Sequence, residues 1–214
     1  MNLYRLDSKM LQGEHCYLDL GDECYFLDEY DNCRGTGMKA QILALKRGAK
    51  FAILFSAQQI TSALPISWAC HGTFVPMPPS RGAKNAMTLV VEQLRVRDVR
   101  RLLIQSQGTP CSHHGWRPTP TQRVGLLSID ELEATPVPEF VVIVDDVLAS
   151  GSHFRAASMV VRQKWPGMRV IGIFIARVCG RRAVAHGRGE CSHYSSCKLR
   201  PANTMGGWPT SPAS

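Results

Sequence analysis

VVIVDDVLASGSH, running from Val141 to His153, changes character halfway along. With Phe140 in front, its first half is the unbroken apolar run FVVIV. A strand buried on both faces has this composition, and such strands occur in parallel sheets. Two adjacent carboxylates, Asp145 and Asp146, end the run, and a short turn containing Gly151 follows. Phe154, Ala157, Val160 and Val161 then recur at helical spacing until Trp165-Pro166-Gly167 stops the pattern. Val170 to Ile175 reads as a second buried strand. Strand, turn, helix and strand make a βαβ unit, right-handed by the usual rule. The expectation is an α/β fold with a mostly parallel central sheet flanked by helices.

The acids sit where such a fold binds ligands, outside the carboxyl ends of its strands. The turn from Ala149 to His153 leads into a helix N-terminus. The N–H groups there lack intrahelical partners, and the helix dipole favours an anion. Ser150 and Ser152 add hydroxyl donors. Paired carboxylates accept hydrogen bonds from a sugar while the turn takes a phosphate, so the chemistry points to a ligand carrying both. The bland alternative is a capped helix behind an acidic loop. Two unpartnered acids at the end of a buried strand would be costly in that case.

Upstream, Thr73 to Met77 predicts a strand despite Pro76, and Pro78-Pro79-Ser80-Arg81-Gly82 a loop. Arg81 can grip phosphate oxygens in a fork, and Lys84 can add a point charge. Ala86, Met87, Val90, Val91 and Leu94 form a helical stripe, as do Met38, Ile42 and Leu45 before Gly48. Ala57 to Ala63 continues a helix up to Pro65, whereas the types of Phe51–Phe55 and Val99–Ile104 stay open. Cys16–Leu20 and Cys24–Leu27, joined through Gly21-Asp22, predict a hairpin. Residues 105–127 lack periodicity and read as a long loop.

Composition sets the outer bounds. The chain has 214 residues, enough for one domain over 1–179 and a tail over 180–214. The tail carries five basic residues against the single acid Glu190, so half of the net charge of +8 lies there. It is rich in Gly, Ser, Pro and Arg and is expected to be disordered. The rest is only mildly basic, which suits an anionic substrate, and nucleic acid is not the expected partner. No apolar run approaches a membrane span and the N-terminus lacks a signal-peptide core, so a cytoplasmic protein without membrane contact is expected. The eight cysteines include no CxxC pair and are expected to be reduced. Cys191, His193 and Cys197, with Cys179, match no standard zinc spacing.

VVIVDDVLASGSH resembles the signature by which type I phosphoribosyltransferases bind 5-phosphoribosyl-1-pyrophosphate (PRPP). That signature is an apolar strand, two acids, two variable residues, two hydroxyl residues, Gly, a small residue and Thr. The resemblance implies that Asp145 and Asp146 hold the ribose and face the magnesium ion. Ala149, Ser150, Gly151, Ser152 and His153 would form the 5-phosphate loop. This chain departs twice: Ala149 stands where a hydroxyl residue is usual, and His153 where Thr is usual. Most of the loop's donors are backbone N–H groups, and His153 would replace a donor, better so when protonated.

Phe74 to Arg81 resembles the strand and loop that hold pyrophosphate in the same family, so Ser80, Arg81 and Lys84 would line that side. Residues Gln105 to Gln122, with His113, His114, Arg117 and the adjoining Arg123, would form the closing lid. The region near 15–50 would form a small hood over the acceptor. The implied activity is Mg-dependent transfer of phosphoribosyl from PRPP to a nucleobase-like acceptor with release of pyrophosphate. Asp145, Asp146 and Arg81 would be the catalytic residues, and a homodimer is a candidate assembly. Two other readings are a PRPP-responsive regulatory protein without turnover and, on the basic tail alone, a relative of the competence-associated ComF-like proteins.

Overall fold

The computed structural model describes residues 2–11, 15–30, 37–79, 86–106 and 119–178. In chain order these form β1 (Tyr4–Arg5), α1 (Ser8–Leu11), β2 (Glu23–Tyr30), α2 (Gly37–Lys46), α3 (Lys50–Ala63) and α4 (Ile66–His71). Then come β3 (Gly72–Pro76), α5 (Ala86–Glu92), β4 (Asp98–Val99), β5 (Leu103–Gln105), α6 (Pro120–Val124) and β6 (Leu127–Ile129). The described residues end with β7 (Phe140–Leu148), α7 (Ser152–Lys164) and β8 (Val170–Val178).

Six strands make one sheet in the order β1-β2-β8-β7-β3-β4. All neighbours run parallel except β1, which lies antiparallel on the β2 edge. β7 is at the centre, with Val144 paired to Ile173 on one side and Pro76 on the other. Its apolar run serves both faces. Val142 and Val144 pack with Ile42, Ile60 and Val91 from α2, α3 and α5. Val141 and Ile143 pack with Phe154, Ala157 and Val161 of α7. Val141, Val142, Ile143 and Val144 are fully buried, as an interior strand between two helical layers requires. The structure is thus α/β with a mostly parallel sheet flanked by helices. Among the described residues no helix is long and apolar enough to cross a membrane.

Several expectations need correction. Cys16–Leu20 is not a strand, and no hairpin forms: residues 15–17 are a turn, and β2 pairs in parallel with β8. Tyr17 and Leu18 are used instead to brace the turn after β7, described below. Residues 23–30 therefore belong to the central sheet, not to a separate hood. The acids do not follow β7 but lie inside it. The ladder continues through Asp145↔Phe174 and Leu148↔Arg177, because backbone pairing does not require apolar side chains. The loop over 105–127 is shorter than read. Its end is α6 and the start of β6, and β6 pairs antiparallel with β5 as a two-stranded ribbon.

Candidate functional site

β3 leads through α5 to β4 on one side of the sheet order, while β7 leads through α7 to β8 on the other. Chain order reverses between β3 and β7, and a crevice opens outside their carboxyl ends. A pocket there is lined by Met77 and Pro78 beyond β3, by Gln105, Leu126 and Leu127 around the ribbon, and by Arg123 and His153. The acids and the turn after β7 stand on the same edge.

Successive residues of a strand point to opposite faces, and the two acids do so. Asp145 turns toward α6 and α7, within the electrostatic reach of Arg123. Asp146 turns to the other face, where Lys46 at the end of α2 approaches its Oδ2 at 3.3 Å. The Asp146 N–H donates to Asp145 Oδ1 at 2.8 Å. Burial, and then the negative charge of Asp146, push the Asp145 carboxyl well above the usual carboxylate range. A partly buried acid pressed toward its neutral form by a neighbouring acid is a group whose charged form added hydroxyl donors or a cation would favour. Lys46 escaped sequence reasoning because it read as the solvent face of an amphipathic helix.

The turn between β7 and α7 is braced from behind. Gly151 has φ 82°, the left-handed region that glycine enters without strain. A Cβ there would stand 2.7 Å from Leu18 Cδ2 and closer still to Leu18 Cγ. The Tyr17 N–H donates to the Ser150 carbonyl at 3.1 Å, and His15 Nδ1 bonds the Ala149 carbonyl. Arg155 on α7 grips buried Asp22 with one nitrogen 2.7 and 2.8 Å from its two oxygens, tying residues 15–22 to the helix. Ser150 Oγ donates to Ser152 Oγ at 3.3 Å. Gly151 has no side chain to cap α7; the Ser152 N–H donates to Ser150 Oγ at 3.5 Å, and helix first-turn N–H groups are the kind of donors that an anion takes up.

Set against known proteins, the chain matches no family model and no curated protein sequence. The chemistry of its own residues carries the reading of the site. Of the residues expected there, Asp145, Asp146, Ala149, Ser150, Gly151, Ser152 and His153 are brought to one edge. Ser80, Arg81 and Lys84 lie outside the described residues, as do His113, His114 and Arg117.

His153 needs correction. Its Nε2 accepts a hydrogen bond from Arg123 Nη1, and burial together with the Arg123 charge lowers its pKa to about 4. It is therefore neutral at pH 7, with the proton on Nδ1, and is not the cationic donor expected. Arg123 also moves, from the margin of a lid to a fixed place on α6. Thr119 accepts from the Gln122 N–H and Gln122 accepts from the Thr119 N–H, a capping box with Pro120 at the first helical position. From there Arg123 Nε donates to Ser152 Oγ at 3.0 Å. The sequence signal was present as Thr119-Pro120-Thr121-Gln122 but was absorbed into the loop.

Among the described residues no three His, Cys, Asp or Glu side chains cluster as a metal cage. Two carboxylates remain, Asp145 and Asp146. Because they turn to opposite faces, one of them alone would meet a given ion, and a single carboxylate is compatible with magnesium only where substrate phosphates and water complete the octahedron.

Proposed function

We propose that this chain is a type I phosphoribosyltransferase that binds PRPP at the carboxyl ends of β3 and β7 and transfers its phosphoribosyl group to a nucleobase-like acceptor. One observation carries the reading. Two carboxylates lie near the carboxyl end of the central strand, and five residues beyond Asp146 the chain turns left-handed at Gly151 into α7, at the point where strand order reverses. Sugar hydroxyls and a phosphate are the groups that this pair of features accepts together.

In this reading Asp145 and Asp146 accept from the ribose hydroxyls, and those donors relieve the acid–acid repulsion that raises the Asp145 pKa. The backbone of Ala149–His153 holds the 5-phosphate, stiffened by Tyr17 and Leu18 behind it. Ser80, Arg81 and Lys84 follow directly in sequence from the Met77-Pro78 wall of the crevice and are assigned the pyrophosphate side. Ribose and leaving group are thus gripped by separate elements, so binding energy serves to orient the breaking bond. Charge develops on the pyrophosphate as the bond to C1 lengthens, and Arg81 and Lys84 are its assigned stabilisers. Magnesium, when bound, supplies further neutralisation of the pyrophosphate charge. No nucleophile of the protein is needed.

The test is release of pyrophosphate from PRPP and magnesium in the presence of a panel of nucleobases. Release that depends on one base, and is lost in Asp145→Asn, is the expected result. Ala149 and His153 favour one second reading, a PRPP-binding regulator without turnover. Binding of PRPP with no release from any base would select it.

A further inference from the structure

Arg123 is a partly buried guanidinium whose described hydrogen-bond partners, Ser152 and His153, are both neutral. Four other partly buried or buried arginines meet carboxylates, Arg100 with Asp98, Arg155 with Asp22, Arg169 with Glu23 and Arg177 with Glu29, while partly buried Arg162 donates to the Met168 carbonyl away from the pocket. Arg123 has no carboxylate contact among the described residues, and only the longer-range fields of Asp145 and Tyr17 favour its charge. Burial works against that charge and lowers its pKa. The cost is sustained by a dedicated scaffold. A capping box holds α6, the His153 ring fixes one edge of the guanidinium, and the group lines the pocket beside the Ala149–His153 turn. A charge held in place with no counter-ion at contact is an arrangement for receiving one.

We propose that Arg123 is a phosphate ligand of this site, gripping the 5-phosphate of a sugar phosphate from outside the turn and supplying the donors that Ala149 and His153 do not. The assignment rests on the PRPP reading and deepens it. A guanidinium carries five N–H donors in a planar fork, and the described contacts occupy two of them, leaving donors for a phosphate. Ala149 has no hydroxyl, and His153 uses Nε2 as an acceptor to hold Arg123. The two departures from the family's signature thus become one device. The ligand class is a dianionic phosphomonoester on a pentose, and recognition shifts from side-chain hydroxyls in the turn to a charge carried by another helix.

Calorimetric titration of the full chain with ribose 5-phosphate, inorganic phosphate and ribose tests this, with PRPP–Mg as a parallel arm. Arg123→Ala is expected to weaken ribose 5-phosphate by about 10- to 100-fold, the usual weight of a hydrogen bond to a charged group, while leaving the weak affinity for ribose unchanged. Arg123→Lys should recover part of the loss, because charge returns without the fork. Adding Ala149→Thr and His153→Thr to Arg123→Ala should also recover part, through the restored hydroxyls. Loss of inorganic phosphate along with ribose 5-phosphate would identify the phosphate alone as the contact. Retained inorganic phosphate, with ribose 5-phosphate lost, would overturn a direct phosphate role. Unchanged ribose 5-phosphate affinity in Arg123→Ala would overturn the assignment and leave the PRPP reading standing. A wild-type chain that binds neither ribose 5-phosphate nor PRPP–Mg would remove both.

Discussion

Replacing Gly151 by alanine should destabilise the protein in two separable ways. The residue sits at φ 82°, where an L side chain costs about 1–2 kcal/mol. The new Cβ would also stand within 3 Å of three Leu18 carbons, with 2.7 Å to Cδ2. Overpacking of this kind costs about 1–3 kcal/mol after relaxation. The sum is about 2–5 kcal/mol, a large share of the stability of a domain this size. Urea unfolding at equilibrium should show it as a lower midpoint at unchanged slope. Leu18→Ala removes the clash but not the backbone strain. The double variant should therefore be more stable than the sum of the single changes allows, by about 1–3 kcal/mol. A Gly151→Ala protein within about 0.5 kcal/mol of wild type would refute the left-handed turn. Strict additivity with Leu18→Ala would refute the brace.

Two predictions concern pH. The folded state raises the Asp145 pKa, so its protonated form is favoured by folding, and stability falls as pH rises from the ordinary aspartate value through the folded one. Asp145→Asn cannot ionise and should be about 1–2 kcal/mol more stable than wild type at pH 9, with the gap closing below pH 4, as read from thermal or urea unfolding. An equal or less stable variant at pH 9 would contradict the crowding of the two acids. His153 shifts the other way, from 6.5 down to about 4, so the unfolded chain takes up its proton first and wild type should lose stability as pH falls through that window. His153→Gln should lack this component, and the His153 imidazole resonances, assigned by their absence in that variant, should show no titration near pH 6.5; an ordinary midpoint for them would mean that Arg123 does not donate to the ring.

The sheet was legible because its central strands are apolar on both faces, a pattern that leaves few alternatives. β7, α7 and β8 all appear in FVVIV, in the Phe154–Val161 stripe and in Val170–Ile175. Three features were not legible, each for a physical reason. β2 was paired with the wrong neighbour, because its partner β8 lies about 150 residues on and nothing local specifies a parallel contact. The end of β7 was cut at Val144 because Asp145 and Asp146 break the apolar pattern without breaking the ladder. The helix that carries Arg123 was hidden in a polar stretch, where Thr119 and Gln122 mark a start but no apolar stripe follows to confirm it. At the site, residue types singled out the acids and the glycine turn, which the fold sets on one edge of the sheet. The sequence could not show that the acids face opposite sides of the sheet, that Lys46 meets one of them, or that His153 is locked as an acceptor. Those depend on how α2, α6 and α7 converge.

The most direct measurement is calorimetric titration of the full chain with PRPP and magnesium, run beside the Asp145→Asn/Asp146→Asn double variant. The account predicts saturable binding by the wild type and loss of at least about tenfold in affinity in the double variant, which keeps the shape of both side chains but not their charge. Equal affinity in the two proteins, or no binding by the wild type, would contradict it.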